Sequence, residues 1–136
     1  MNAGPAPHPA PLAYFWGDDA YSLDAAVEAL RRDPARFPDG LPERWRVRGD
    51  GGDGARILAE LTERLATGPM FGGGTLVVVA GLGQLVRRNQ DRDALLAALP
   101  LTAPGNGFAV AEETDSGRKD PPSRTFSDAI RAAGGD

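Results

Sequence analysis

The 136-residue sequence contains no cysteine, one histidine and one lysine. Without cysteine there are no disulfides and no thiolate metal sites, and His8, in a proline-rich lead, cannot build a zinc centre alone. No Ser/His/Asp or Cys/His arrangement is available for nucleophilic catalysis, so the chain is not expected to have an active site of its own. Basic charge is also short: fourteen arginines and the single lysine face nineteen acidic residues, and the formal net charge is −4. No overall field draws the chain to nucleic acid, so any DNA contact is expected to be indirect or weak. No apolar run approaches the roughly 18 residues of a membrane span. The first residues lack the basic start and apolar core of a signal peptide, so the expected location is the cytoplasm.

What is present suits a soluble domain with one core: 41% of residues are hydrophobic and 25% charged. Residues 1–11, with prolines at 5, 7, 9 and 11, read as a disordered Pro/Ala-rich lead. Leu12-Ala13-Tyr14-Phe15-Trp16 is a run without alternation, the pattern of a strand covered on both faces, and is expected to be the first, central strand. Leu23, Ala26, Val27 and Leu30 recur at helical spacing, which predicts an amphipathic helix over Ala20–Arg31 closed by Asp33-Pro34. Arg44-Trp45-Arg46-Val47-Arg48 alternates with period two and predicts a half-exposed strand near the sheet edge.

Asp53 is placed to N-cap a second helix with Ile57, Leu58, Leu61 and Leu65 on one face and a Glu60–Arg64 pair on the other. Thr75-Leu76-Val77-Val78-Val79 predicts a buried strand. Leu95, Leu96 and Leu99 mark a helix starting near Asp91 and ended by Pro100. Phe108-Ala109-Val110-Ala111 is a further short strand, residues 114–123 a polar loop, and residues 125–133 a last helix with Phe126 and Ile130 inward. Strands alternating with helices imply βαβ units and an α/β fold with a mainly parallel sheet, Rossmann-like or P-loop-like. The chain stops after a helix where such a sheet would accept another strand, so residues 12–136 read as a domain truncated at its C-terminal end.

In such folds ligands bind at the carboxyl ends of the strands. The first such turn, Gly17-Asp18-Asp19-Ala20-Tyr21-Ser22, has one glycine and no lysine, and its acidic residues suit a helix cap better than a phosphate. A response-regulator receiver domain, similar in strand order, also places acids here. It needs an aspartate ending the third strand and a lysine ending the fifth, and neither is present. Gly49-Asp50-Gly51-Gly52-Asp53-Gly54 lacks the lysine of a nucleotide loop and the following acid of a calcium loop, and reads as a turn capping a helix. Arg87-Arg88 and Arg118-Lys119 read as solvated pairs. No cofactor or metal is expected.

The remaining oddity is Thr67-Gly68-Pro69-Met70-Phe71-Gly72-Gly73-Gly74, where a helix stops at a Gly-Pro pair and two large apolar residues stand among glycines. Taken in order with Tyr14-Phe15-Trp16-Gly17-Asp18-Asp19, Thr75-Leu76-Val77-Val78-Val79, Ala109-Val110-Ala111 and residues 115–119, it resembles the amino-terminal domain of the DNA polymerase III delta subunit, from the bacterial clamp loader. The resemblance spans residues 12–134. It implies an AAA+-like domain of P-loop-type topology without a functional P-loop, Gly17, Asp18 and Asp19 being the degenerate nucleotide corner.

The resemblance also implies that Met70 and Phe71 bind the sliding clamp (beta subunit) as a hydrophobic plug, with Gly68, Pro69, Gly72, Gly73 and Gly74 as the supporting loop. Methionine departs mildly from the leucine common at the first plug position. The implied role is to help open the ring for loading onto DNA, without activity of its own, inside a DNA-directed DNA polymerase (nucleotidyltransferase) holoenzyme. The other clamp-loader subunits are partners of the full-length protein. Docking of Met70 and Phe71 beneath the sheet is the plainer alternative; the glycines favour a plug free to protrude and adjust. Two further readings are a nucleotide-binding α/β domain using residues 17–22 or 49–54, and an inert truncated domain with an exposed sheet edge.

Overall fold

The β-branched and aromatic runs assemble into one sheet. In the computed structural model, which describes residues 10–70 and 73–135, the strands are β1 (Leu12–Gly17), β2 (Glu43–Arg48), β3 (Thr75–Ala80) and β4 (Gly107–Glu113). They pair in the order β1-β4-β3-β2, every neighbouring pair parallel, with Ala13 opposite Ala109 and Val78 opposite both Ala109 and Arg46. The helices are α1 (Ala20–Arg31), α2 (Gly54–Ala66), α3 (Leu82–Leu85), α4 (Asn89–Ala98) and α5 (Arg124–Ala132). Among the described residues no helix is long and apolar enough to cross a membrane.

Period-two alternation splits the core into two layers. Tyr14, Val77, Val79, Phe108 and Val110 face the side packed by Leu58, Leu61 and Leu65 of α2, Leu95 of α4, and Phe126 and Ile130 of α5. Ala13, Leu76, Val78 and Ala109 face the other side, where Val27 and Leu30 of α1 and Phe37 cover them. The split follows from connectivity. The chain runs from β1 out to β2 and then returns through β3 to β4. Crossovers of one hand therefore put the outgoing helix on one face and the returning helices on the other. Leu76, Val77, Val78 and Val79 are buried, each contributing about 1.5–3 kcal/mol relative to exposure.

β2 lies at a sheet edge as its alternation implied, but β1 is the opposite edge and not a central strand. Its apolar run reflects cover from α1 on one face and α5 on the other. Face burial is written in side-chain polarity, whereas lateral position depends on backbone pairing that side chains do not encode. The order also differs from both doubly wound alternatives: Rossmann sheets place strand 2 beside strand 1, and so do flavodoxin-like sheets. Here strands 1 and 2 are at opposite edges, which removes the similarity in order to a receiver domain.

The predicted α1 boundaries match the structure, and Asp53 Oδ1 accepts a hydrogen bond from Arg56 N at 3.2 Å as the N-cap of α2. α4 begins at Asn89, two residues before Asp91, and Pro100 sits in a 3-10 turn (Leu99–Leu101) that follows Ala98. Arg64 stacks over the Trp45 ring at 4.7 Å from its centroid, tying α2 to β2, and no Glu60–Arg64 ion pair is found among the described residues. Residues 1–9 of the proposed lead lie outside the described residues. Pro11, at its end, is buried, and its carbonyl accepts from Phe108 N at 3.0 Å.

Candidate functional site

The segment between α2 and β3 is anchored at both ends. α2 stops at Ala66 because Thr67 takes an extended conformation (φ −97°, ψ 110°), ahead of the Gly68-Pro69 pair that cannot continue a helix. Met70 is 86% exposed, so docking beneath the sheet does not apply to it. Phe71 and Gly72 lie outside the described residues. On the far side, Gly73 has φ +63°, a left-handed conformation that glycine adopts without penalty, and its N–H donates to Asp39 O at 3.4 Å. A side chain on Gly74 would overlap Gly105 O and Asn106 Oδ1. Gly73 and Gly74 are therefore present for a turn and a close backbone approach. The expectation that they leave a plug free to adjust has no support from either position.

The residue that organises this junction is Asn106, which the sequence reading did not single out. It follows a tight turn, Ala103-Pro104-Gly105-Asn106, closed by Asn106 N donating to Ala103 O at 3.0 Å. Proline second and a positive-φ glycine third (φ +93°) are the pattern of a type II turn. Asn106 is 2% exposed. Its Oδ1 accepts from Thr75 N at 2.9 Å, and its Nδ2 lies 3.0 Å from Arg64 O, 3.1 Å from Leu65 O and 2.8 Å from Thr67 O. The available signal was an amide between Pro-Gly and an apolar strand, where side chains often satisfy a neighbouring helix end.

Two further exposed apolar side chains sit on adjoining loops. Leu41 (53% exposed) precedes β2, and a Cβ on Gly73 would meet its carbonyl oxygen at 2.9 Å. Leu101 (71% exposed) begins the approach to β4, where Ala103 Cβ lies 3.7 Å from a Cβ built on Gly68 and Ala103 N donates to Leu65 O at 2.8 Å. In a parallel sheet the loops before β2, β3 and β4 share one edge. Leu41, Met70 and Leu101 thus lie at the amino-terminal edge, opposite the edge where α/β proteins bind nucleotides.

That opposite edge holds the Gly17-Asp18-Asp19 corner. Asp19 caps α1: its Oδ1 accepts from Tyr21 N at 3.0 Å and its Oδ2 from Ser22 Oγ at 2.7 Å. The Ser22 hydroxyl, followed by the Tyr21 N–H, holds the Asp19 carboxyl below its ordinary pKa. Donors that a phosphate would need at this helix start are engaged by a carboxylate. Thr114 N donates to Gly17 O at 2.7 Å, and Glu112 accepts from Leu82 N at 2.7 Å, so the crevice beside β1 is both bridged and acidic.

The loop over residues 49–54 is structural in the same way. Gly49 N donates to Ala80 O at 2.8 Å, and a Cβ on Gly49 would overlap Gly81 O. A groove of about 480 Å³ between α1 and β2–β4 includes Leu23, Val78, Ala80, Arg44 and Arg46. Arg44 is held by Asp24 at 2.7 Å and Glu28 at 3.2 Å, and Arg46 by Asp24 at 2.9 Å, so both guanidinium groups have carboxylate partners. Arg88 pairs with Asp91 at 3.0 Å, and Arg118 Nε donates to Asp120 O at 2.8 Å. Among the described residues no group of three or more His, Asp or Glu could hold a metal ion. No protein-family model and no curated protein matches the chain.

Proposed function

We propose that this chain is an AAA+-like domain of the DNA polymerase III delta type that binds a sliding clamp through Met70 and Phe71 and helps open the ring. In the full-length protein it would assemble with the other clamp-loader subunits of the polymerase holoenzyme. The observation that carries the reading is the 86% exposure of Met70 on a segment whose ends are pinned. An unbranched thioether in that position suits an apolar cleft on a protein partner. Burying Met70 and Phe71 there would contribute roughly 3–6 kcal/mol before ordering costs, enough for an interface hot spot. The strand order supports a P-loop-type topology, since the Rossmann alternative requires β1 and β2 to be neighbours. The acid-capped corner at residues 17–19 is in keeping with a domain that works through a surface.

The test is capture of a purified bacterial sliding clamp by the parent chain and by the double variant Met70→Ala/Phe71→Ala. The parent is expected to retain the clamp and the variant to lose it; equal retention would refute the assigned site. Calorimetric titration with Mg-ATP addresses the nucleotide alternative. No saturable heat is expected, because Asp19 engages the N–H and hydroxyl groups at the start of α1.

A further inference from the structure

We propose that Asn106 is the positioning residue of the Met70 segment, presetting the plug before a partner arrives; this rests on the clamp-binding reading above. A buried amide is costly unless its hydrogen-bonding capacity is used, and Asn106 uses its capacity on the two ends of one segment. Nδ2 faces the carbonyls of Arg64, Leu65 and Thr67 where α2 ends; Arg64 O also accepts from Thr67 N at 3.3 Å and Leu65 O from Ala103 N at 2.8 Å, whereas Nδ2 reaches all three. Two amide hydrogens serve three oxygens, so one bond is shared. Oδ1 receives the first N–H of β3, from Thr75. The amide orientation follows from these partners: reversed, it would set an oxygen among three carbonyls and an NH2 against an N–H.

A helix end is commonly closed locally, by a glycine just past it. Here one local bond, Thr67 N to Arg64 O, is joined by a side chain about forty residues away, immediately before β4, which lies between β1 and β3 in the sheet. The same side chain holds the start of β3. The described ends of this segment, Gly68-Pro69 and Gly73-Gly74, therefore lie at points fixed relative to each other and to the sheet. Gly74 passes so close to Asn106 Oδ1 that no Cβ fits, and Pro69 rests against Gly105, next to Asn106. Met70 is thus presented from a braced backbone, which lowers the ordering cost when its side chain enters an apolar pocket. The glycines and Asn106 form one device, close approach on one side and hydrogen bonding on the other.

The test uses the chain, a purified bacterial sliding clamp and three variants, with binding kinetics read by surface plasmon resonance at a temperature where melting curves show each variant native. Asn106→Asp keeps the acceptor for Thr75 N–H but turns an anion toward three carbonyls. Thr75→Pro removes the N–H that Oδ1 accepts and sets the ring Cδ against that oxygen, so it breaks the same contact from the other side, at the first residue of a strand, where proline is tolerated. Each is expected to weaken clamp binding at least fivefold, with faster amide exchange around residue 75 and parental exchange in Val77–Val79 and Val110. The defect of Asn106→Asp should shrink between about pH 7.5 and about pH 5, as a buried carboxyl regains a proton and a donor.

Met70→Ala separates the two readings. If it binds poorly while Asn106→Asp and Thr75→Pro bind within twofold of the parent, the role of Asn106 is overturned and the plug stands. If Met70→Ala binds as the parent does, the clamp reading itself falls. Exchange that rises equally through β3 and β4 would mark Asn106 as a general stabiliser and overturn the positioning role. Should Asn106→Asp fail to fold, Thr75→Pro carries the same decision.

Discussion

Replacing Gly105 with alanine should destabilise the chain, although the site is a surface turn. Gly105 has φ +93°, and an added Cβ would lie 2.9 Å from Pro69 Cγ and 3.2 Å from Pro69 Cδ. Left-handed backbone costs an L-residue about 1–2 kcal/mol. Crowding the proline ring adds about 1 kcal/mol, the low end for an overpacked methyl because Pro69 is exposed and can shift. The smaller entropy of an unfolded alanine chain returns about 0.4–1 kcal/mol. The net loss is about 1–2.5 kcal/mol, and at about 3–5 °C per kcal/mol for a chain of this size the Tm should fall by roughly 3–12 °C.

Thermal unfolding followed by circular dichroism measures the shift, with Gly83→Ala as the control. Gly83 lies in α3 with nothing within 4 Å of a Cβ, and its replacement should leave Tm unchanged or slightly higher. Since the crowding is relieved by moving Pro69, and Met70 follows it directly, Gly105→Ala should also weaken the clamp binding proposed above. A Tm for Gly105→Ala at or above the parental value would refute the steric account of this junction.

Tyr14→Phe should cost about 0.5–1.5 kcal/mol, because Tyr14 Oη accepts from Ser123 N, at the N-cap of α5, at 2.9 Å. Burial raises the Tyr14 pKa above its usual value near 10, so the unfolded chain ionises first. Stability present below about pH 10 is therefore lost as pH climbs toward the folded-state pKa, and denaturant titrations should show a shallower alkaline decline in Tyr14→Phe. Leu101→Glu, at a site 71% exposed, should change stability by less than about 0.5 kcal/mol yet reduce the proposed clamp affinity severalfold, by placing a charge on the loop whose Ala103 N–H bonds the end of α2 at Leu65 O. Tyr21→Glu, 83% exposed on α1 at the opposite sheet edge, should alter neither; loss of clamp binding there would move the interface away from Met70.

Legibility in the sequence followed the range of the interactions involved. Helical spacing of Leu23, Val27 and Leu30 sets which face of α1 is buried, because those side chains share one stripe whatever lies opposite. Asp53 and the run from Leu76 to Val79 were readable for the same reason: a cap acts within three residues, and a strand buried on both faces carries apolar side chains in succession. Met70 stood out because a large apolar residue beside Gly-Pro has no local use, and its exposure agrees with that.

Only the tertiary structure decided the rest. β1 is an edge strand because its partner, β4, comes about a hundred residues later, and side-chain polarity cannot state which backbone will pair. Arg64 turned to Trp45 on the neighbouring strand instead of Glu60 on its own helix, an alternative absent from the helix considered alone. The glycines of residues 73 and 74 suggested freedom when read locally, yet they exist for a turn and for the approach of another loop. The position of Asn106 between Pro-Gly and an apolar strand gave only a general hint, since its worth lies in four backbone groups that are remote in sequence and are gathered around it by the sheet.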